Sequence, residues 1–433
     1  MIATLRAAAA TAALLFVGAA GVQESRDEAA TASYYESVRA DTPLLIAFLR
    51  EMPKGADLHS HLSGADTVPA AAAIADGVLY SALIDALSMR NWSPARINGH
   101  DQFFSTFGRM YAESRRTGDM LAEPAGRAAD GNVSYLELMF TPDGGAARSL
   151  GDRAGWLGDF GRMRDTLLAL GIERVVSLAR ARIDSVEARR DSVLACGSPA
   201  ADAGCAVTVR WLYQVSRATP PQQIFAQILT GFILSRDDPR VVGFNLVQPE
   251  DALIAMRDYS LHMRMIGALR SHYPGVRVSL HAGELASGLV PPEGLRFHVR
   301  EAVEVAGASR IGHGVAVMHE DRPHELLAEM ARRGVLVEIN LSSNDVILGV
   351  KGKDHPLRAY MAAGVPVALS TDDEGVARSE MTMEYVRAVP DQLLDYRDLK
   401  TMARASLGHA FVEEVVKAQL LRDLEIAFAR FEA

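Results

Sequence analysis

Four short segments of the sequence carry side chains able to hold a metal ion and to move protons beside it. The first is Asp57-Leu58-His59-Ser60-His61, followed at once by the turn Ser63-Gly64. On an extended strand, residues two apart point to the same side, so His59 and His61 can face one ion, and imidazole nitrogens suit zinc at about 2.0–2.1 Å. The second is Ser279-Leu280-His281-Ala282-Gly283-Glu284, where His281 ends an apolar run as a third ligand. Glu284 follows in a glycine-containing turn, placed to carry protons between an activated water and a substrate. The third is Arg310-Ile311-Gly312-His313-Gly314, whose glycines allow close approach and whose neutral imidazole could orient or deprotonate the water. The fourth, Ser370-Thr371-Asp372-Asp373-Glu374, crowds three carboxylates that repel unless a cation offsets them. Asp372 reads as a fourth ligand and Asp373 as a contact to both water and substrate. Taken singly, each segment has a plainer reading: core histidines, a solvated loop glutamate, an acidic surface turn. Taken together, three histidines and an aspartate with Glu284, His313 and Asp373 alongside describe metal-assisted hydrolysis, in which bound zinc brings the pKa of water to about 7.

Residues this far apart in sequence need a scaffold that gathers them. Short β-branched or apolar runs at 56–61, 133–140, 207–215, 241–247, 276–281, 310–313, 336–340 and 365–370 predict strands. Amphipathic stretches such as 258–272, 299–305 and 325–333 predict helices between them. Val412, Val416, Leu420, Leu424, Phe428 and Phe431 mark one face of a last helix. Alternating strands and helices of this kind mean α/β, and eight such strands predict a (β/α)8 TIM barrel. Each of the four segments then falls at the C-terminal end of a strand, the face that carries catalysis in such barrels. Residues 21–50 read as an N-terminal helical extension, and 180–206, with its charged stretch and cysteine loop, as an insertion before the third strand. No linker interrupts residues 51–433, which read as one barrel.

The chain has 433 residues, 45 Lys+Arg against 54 Asp+Glu, and a formal charge of −9. At 49% hydrophobic and 23% charged it can bury a large core, which excludes disorder as its overall state. The acidic balance argues against nucleic acid as a partner, since that needs a basic field. Residues 1–20 combine a charged start, an apolar middle and small residues, the layout of a secretory signal peptide, with an apolar run too short for a membrane span of about 20 residues. Export to a periplasmic or extracellular space is therefore expected, with no membrane partner. In an oxidising compartment Cys196 and Cys205, which flank a run of turn formers, are expected to close a small disulfide loop.

His59-Ser60-His61, His281-Ala282-Gly283-Glu284, Gly312-His313-Gly314, Ser342-Ser343-Asn344 and Ser370-Thr371-Asp372-Asp373 stand in an order that resembles the adenosine deaminase family. Met52-Pro53-Lys54-Gly55 and Val242-Gly243-Phe244-Asn245-Leu246-Val247 look most like its secreted, growth-factor-related branch. The resemblance runs from about residue 52 to 385. It implies a zinc-dependent barrel that converts adenosine or deoxyadenosine to inosine or deoxyinosine with release of ammonia, so the expected partner is a small purine nucleoside. By that resemblance His59, His61, His281 and Asp372 bind Zn2+. Glu284 protonates the purine ring nitrogen, His313 orients or deprotonates the water, and Asp373 holds the water and a ring nitrogen. Phe103, Phe104 and Phe107, in a loop after the first strand, correspond to an apolar lid over the substrate. Two recognition positions depart from the family: Ser63 stands where an aspartate usually binds the sugar, and Gln248 where a glycine usually contacts the purine. Gln248 cannot leave the space a glycine leaves, although its amide could supply a hydrogen bond. With Ser63, Gly64 and Gln248 at the substrate, these departures keep open a related deaminase acting on another aminopurine or aminated heterocycle.

Overall fold

The computed structural model describes residues 26–65, 98–110 and 116–433, so the expected signal peptide lies outside the described residues. All eight expected strands form: β1 Gly55–His61, β2 Val133–Phe140, β3 Thr208–Ser216, β4 Val241–Val247, β5 Arg277–Ala282, β6 Arg310–His313, β7 Leu336–Ile339 and β8 Val367–Leu369. Each pairs in parallel with the next, in chain order from β1 to β8. The gap between β8 and β1 is bridged just past the end of β8. There Asp372 N donates to His59 O at 2.8 Å and His61 N donates to Asp372 O at 2.8 Å. The result is the (β/α)8 barrel that the alternation predicts. Its strands are buried on both faces, which is why they read as near-continuous apolar runs.

Helices cover the outside. Pro221–Asp237 lays Ile224, Phe225, Ile228, Leu229 and Phe232 against the sheet. Two helices, Arg26–Val38 and Thr42–Glu51, make up the N-terminal extension; Asp41 caps the second by accepting from Leu44 N. They dock on the C-terminal helix Glu414–Glu432 through the edge-on pair Phe48–Phe431, with ring centroids 5.1 Å apart. The stretch 180–206 takes in the later part of the helix Ile172–Val193, which buries Val175, Val176, Ala179, Ile183 and Val186 on one side and leaves its charges on the other, and the cysteine turn after it. Cys196 and Cys205 form the expected disulfide, closing the turn that leads into β3. That turn stands where a strand begins, at the end of the barrel opposite the strand C-termini. The stretch 299–305 differs from a plain helix. His298–Glu301 widens into a π turn, Ala302–Ala306, which Gly307 ends at φ +70°. Among the described residues no helix is long and apolar enough to cross a membrane.

Inside the barrel the core is charged. Arg310 of β6 donates through Nη2 to Glu137 Oε2 of β2 at 2.5 Å, and its Nε lies 2.7 Å from Glu338 Oε1 of β7. Phe411 covers the guanidinium at 3.7 Å. All three charged side chains are fully buried, so removing the cation strips Glu137 of its counter-charge and leaves Glu338 only that of His59. Arg310→Met is expected to destabilise the fold by about 3–5 kcal/mol, read by urea unfolding of the purified protein. A loss below about 1 kcal/mol, the range of an exposed pair, would show that the network carries no such weight.

Candidate metal centre and active site

The alternation of β1 turns His59 and His61 to the same side, β5 contributes His281 near its end, and Asp372 follows β8. One ligand atom from each of the four lies within 4.8 Å of the others, and all four residues are buried. His59 Nε2 and His61 Nε2 each lie 3.1 Å from His281 Nε2, and Asp372 Oδ1 lies 3.4 and 3.3 Å from His59 Nε2 and His61 Nε2. Each imidazole turns its other nitrogen to an oxygen. His59 Nδ1 is 2.6 Å from Glu338 Oε2, His281 Nδ1 is 2.9 Å from Asn245 Oδ1, and His61 Nδ1 is 3.4 Å from Gln214 Oε1. Oxygen acceptors at Nδ1 hold the hydrogen there and leave Nε2 free to ligate. Asp372 Oδ2 accepts from Ser343 Oγ at 2.5 Å, while its buried Oδ1 has no hydrogen bond of its own. Edges of 3.1–3.4 Å are those of donors about 2.0–2.1 Å from a shared centre, so these residues fit a divalent metal ion.

The backbone is shaped for this convergence. A Cβ on Gly312 would lie 2.4 Å from His59 Cε1, so only glycine leaves room for that ring. Asp57, fully buried, accepts from His59 N at 3.1 Å and from Thr371 Oγ1, which ties the two halves of the centre together.

Beside the metal group lie the three proton-handling side chains. Glu284 follows β5 through Gly283, and His313 ends β6 with its Nε2 3.6 Å from Glu284 Oε1. Asp373 packs so closely on Gly64 that a Cβ there would lie 1.5 Å from its Oδ1. A cavity of ≈ 290 Å³ opens over them, bounded by His61, Ser63, Gln214, Gln248, His281, Glu284, Asp372 and Asp373 on its polar side. Phe103, Phe104 and Phe107 form its apolar wall, and Phe103 packs with Ile347 and Val376. These three aromatics sit on a helix, Gly99–Met110, rather than in a loop. Their spacing of one and then three residues places them on one helical face. Across the mouth, His100 Nε2 of that helix meets Asp251 Oδ1, in the loop after β4, at 3.0 Å. Gln248 borders the cavity in a backbone conformation its type does not suggest. It adopts φ +83°, a conformation that favours glycine, and swings its side chain aside so that Oε1 accepts from Ala218 N at 2.9 Å. The residue still borders the cavity, but its amide oxygen is spent on the backbone.

The profile of the adenosine deaminase family matches residues 53–426. The chain belongs to the adenosine deaminase family. An adenosine deaminase of Clostridium perfringens is 33% identical over 147 residues, 34% of this chain and 41% of that protein. An adenine deaminase of Sinorhizobium fredii is 29% identical over 235 residues, 54% of this chain and 66% of that protein. The chain thus spans less than two thirds of the length of either relative. The solved adenine deaminase of Arthrobacter aurescens shares the fold with a TM-score of 0.61 at 19% identity, over 86% of this chain and 98% of that one.

In this adenosine deaminase-family site, burial and crowding set the charges. Burial, reinforced by the Asp372 charge, pushes Glu284 well above the usual carboxylate range, and the same two causes raise Asp373. Burial pushes His313 down to about 3, so that imidazole is neutral. His281 is also driven well below its ordinary value, by burial and then by the neighbouring His59. His59 is the exception: burial opposes its charge, yet the Asp372 and Glu338 carboxylates push it up to about 10.

Several supporting residues escaped the sequence reading. Glu338, Asn245 and Gln214 orient the three imidazoles. Glu250 accepts from Gly283 N at 3.0 Å and Glu284 N at 2.9 Å, and so fixes the turn that carries Glu284. Arg217 donates to Gln248 O at 2.9 Å and His281 O at 3.1 Å, binding β4 to β5 at the mouth. The one available signal is a polar or charged residue inside an otherwise apolar strand, as with Asn245 in β4 and Glu338 in β7.

Because His59 is raised above neutrality, the metal-free site carries its proton at pH 7, and an ion taking Nε2 must displace it. Zn2+ titration by calorimetry in buffers of different ionisation enthalpy is therefore expected to show release of about one proton or more per ion at pH 7. Affinity should weaken as the pH falls. Binding without proton release would contradict this electrostatic picture.

Proposed function

We propose that the chain is a zinc-dependent hydrolytic deaminase that converts adenosine or deoxyadenosine to inosine or deoxyinosine and ammonia. The observation that carries this reading is the placement of Glu284, a buried carboxyl whose pKa burial raises, beside His313 and the metal group at the floor of an aromatic-walled cavity. His59, His61, His281 and Asp372 would hold the zinc ion, in keeping with three imidazole nitrogens and one carboxylate as donors. When bound, zinc supplies Lewis acidity that makes water a nucleophile near neutral pH.

The chain's own residues do the rest. Glu284 presents its proton to the ring nitrogen beside the carbon that bears the amine, so that carbon becomes electrophilic as water adds to it. Asp373, whose buried Oδ1 has no partner within the protein, receives the proton that the water loses, acting as the carboxylate that a cation held by the adjacent Asp372 would favour. As the tetrahedral adduct collapses, Asp373 returns its proton to the amine, which leaves as ammonia, while the adduct's hydroxyl proton passes to Glu284 and a ring carbonyl stands where the amine was. The Phe103, Phe104 and Phe107 wall covers the purine face and excludes bulk water. Ser63 on the short helix Leu62–Ala65 and the Gln248 edge bound the rest of the cavity. Because neither offers the carboxylate or the open glycine of the usual family site, a second reading stands: the same chemistry on another aminopurine or aminated heterocycle.

The disulfide in the turn before β3 supports an exported protein whose first 20 residues act as a signal peptide, with residues 51–433 as its barrel domain. The segments at 52–55 and 242–247 support placement in the secreted, growth-factor-related branch.

The test is an ammonia-release panel on the zinc-loaded protein with adenosine, deoxyadenosine, adenine, other aminopurines and aminated heterocycles such as pterins. Turnover of a nucleoside supports the first reading, turnover of another aminopurine alone supports the second, and no turnover on any overturns both. Glu284→Gln is expected to lower kcat about 10²–10⁴-fold with zinc content unchanged.

A further inference from the structure

His313 lies in the active site, but what sets its hydrogens lies behind it. Nδ1 of His313 receives Nδ2 of Asn344, on the helix Leu341–Leu348, at 2.9 Å. The other end of that amide, Asn344 Oδ1, lies 3.0 Å from Nε2 of His355. His355 in turn faces the start of the helix Leu357–Ala362, where its Nδ1 lies 3.2 Å from Leu357 N. All three side chains are buried, so water cannot replace any of these partners.

The direction of this chain is settled at its far end. A main-chain N–H can only donate, so His355 Nδ1 must carry a lone pair. Burial pushes His355 down to about 4, so the ring is neutral and its one hydrogen sits on Nε2. That hydrogen requires the oxygen of Asn344 to face His355, which turns the amide NH2 toward His313. His313 Nδ1 must therefore accept, and the hydrogen of its neutral ring sits on Nε2. A second amide agrees: Asn340 Nδ2 lies 3.4 Å from the same Nδ1 and 3.4 Å from Glu338 O, an acceptor that calls for the nitrogen on that side. Nε2 of His313 is buried and has no partner within the protein.

We propose that His355 and Asn344 are positioning residues that lock His313 in the Nε2–H tautomer, making it a fixed hydrogen-bond donor into the reaction site and not a base. The donor is aimed where oxygen charge develops during water addition, 3.6 Å from Glu284 Oε1. With no lone pair at Nε2, His313 cannot take the proton of the water, and that task falls to Asp373. This sharpens the expectation that His313 orients or deprotonates the water: it orients only. The catalytic half of the inference rests on the deaminase reading above; the tautomer itself does not.

The experiment is ¹⁵N NMR of the zinc-loaded protein labelled at its 12 histidines, with His313→Gln used to assign the ring. The expected spectrum has a protonated Nε2 and an unprotonated Nδ1 at His313. His355→Phe removes the donor that holds the Asn344 amide, so the His313 signals are expected to move toward the other tautomer. In the same variant kcat is expected to fall about 10–100-fold with little change in KM. His355→Gln, which can present an oxygen to Leu357 N and an NH2 to Asn344, is expected to restore both readouts, as a merely space-filling role would not. A wild-type His313 with its hydrogen on Nδ1, or a tautomer unmoved in His355→Phe, would overturn the proposal. If His355→Phe does not fold, the wild-type spectrum and His355→Gln still decide it. Loss of every purine activity alongside the expected tautomer would count against the deaminase reading alone.

Discussion

The whole site depends on gathering negative charge and lone pairs where a protein can least easily hold them. Asp372, Asp373 and Glu284 are buried within reach of three imidazoles whose Nε2 atoms converge at 3.1 Å, an arrangement that a divalent cation relieves. The barrel makes the gathering unavoidable, because the segment that closes it is the segment that ligates. Asp372 exchanges main-chain hydrogen bonds with His59 and His61, so the last strand cannot join the first without bringing these three ligands together, and His281 meets them from β5. Behind them, Glu338 connects His59 to Arg310, and Arg310 connects to Glu137, so the charge of the centre is continuous with the charged core of the barrel.

This convergence asks for backbone shapes that side-chain-bearing residues rarely take. His313 at φ +67°, Asp372 at +61° and Gln248 at +83° all lie in the left-handed region, at or just past a strand end at the mouth. Such conformations cost about 1–3 kcal/mol each and persist where surrounding structure over-determines them. Here the over-determination is visible. Arg217 grips the carbonyls around Gln248, Asp57 holds Thr371 next to Asp372, and the two asparagine amides hold the His313 ring. At His313 and Asp372 this turns the side chain inward at the point where a regular strand would have carried it past the site, whereas at Gln248 it lets the side chain swing aside to Ala218 N.

Much of this was legible from the residues. Strands buried on both faces must be apolar throughout, so their runs stood out and all eight were found. The HxH spacing follows from the two-residue period of a strand. What was not legible depends on pairings between distant strands. Glu338 is an acid in an apolar run until β7 comes to lie near β1 and β5, and only then does it bond His59, Ser279 and Arg310. The glycine-like φ of Gln248 was not legible from its type, because Arg217 and Ala218 hold that conformation from the neighbouring loop. The Phe103–Phe107 spacing did carry a helical signal, but three aromatics in five residues read equally well as part of a loop.

The central claim is that these four side chains exist to hold one metal ion on which the site's electrostatics depend. The most direct measurement is elemental analysis of the full chain purified without chelator, paired with thermal unfolding before and after metal removal. The account predicts about one zinc per chain and a Tm that falls on chelation and returns when Zn2+ is restored. A protein with no bound metal, and a Tm indifferent to both chelator and Zn2+, would contradict it.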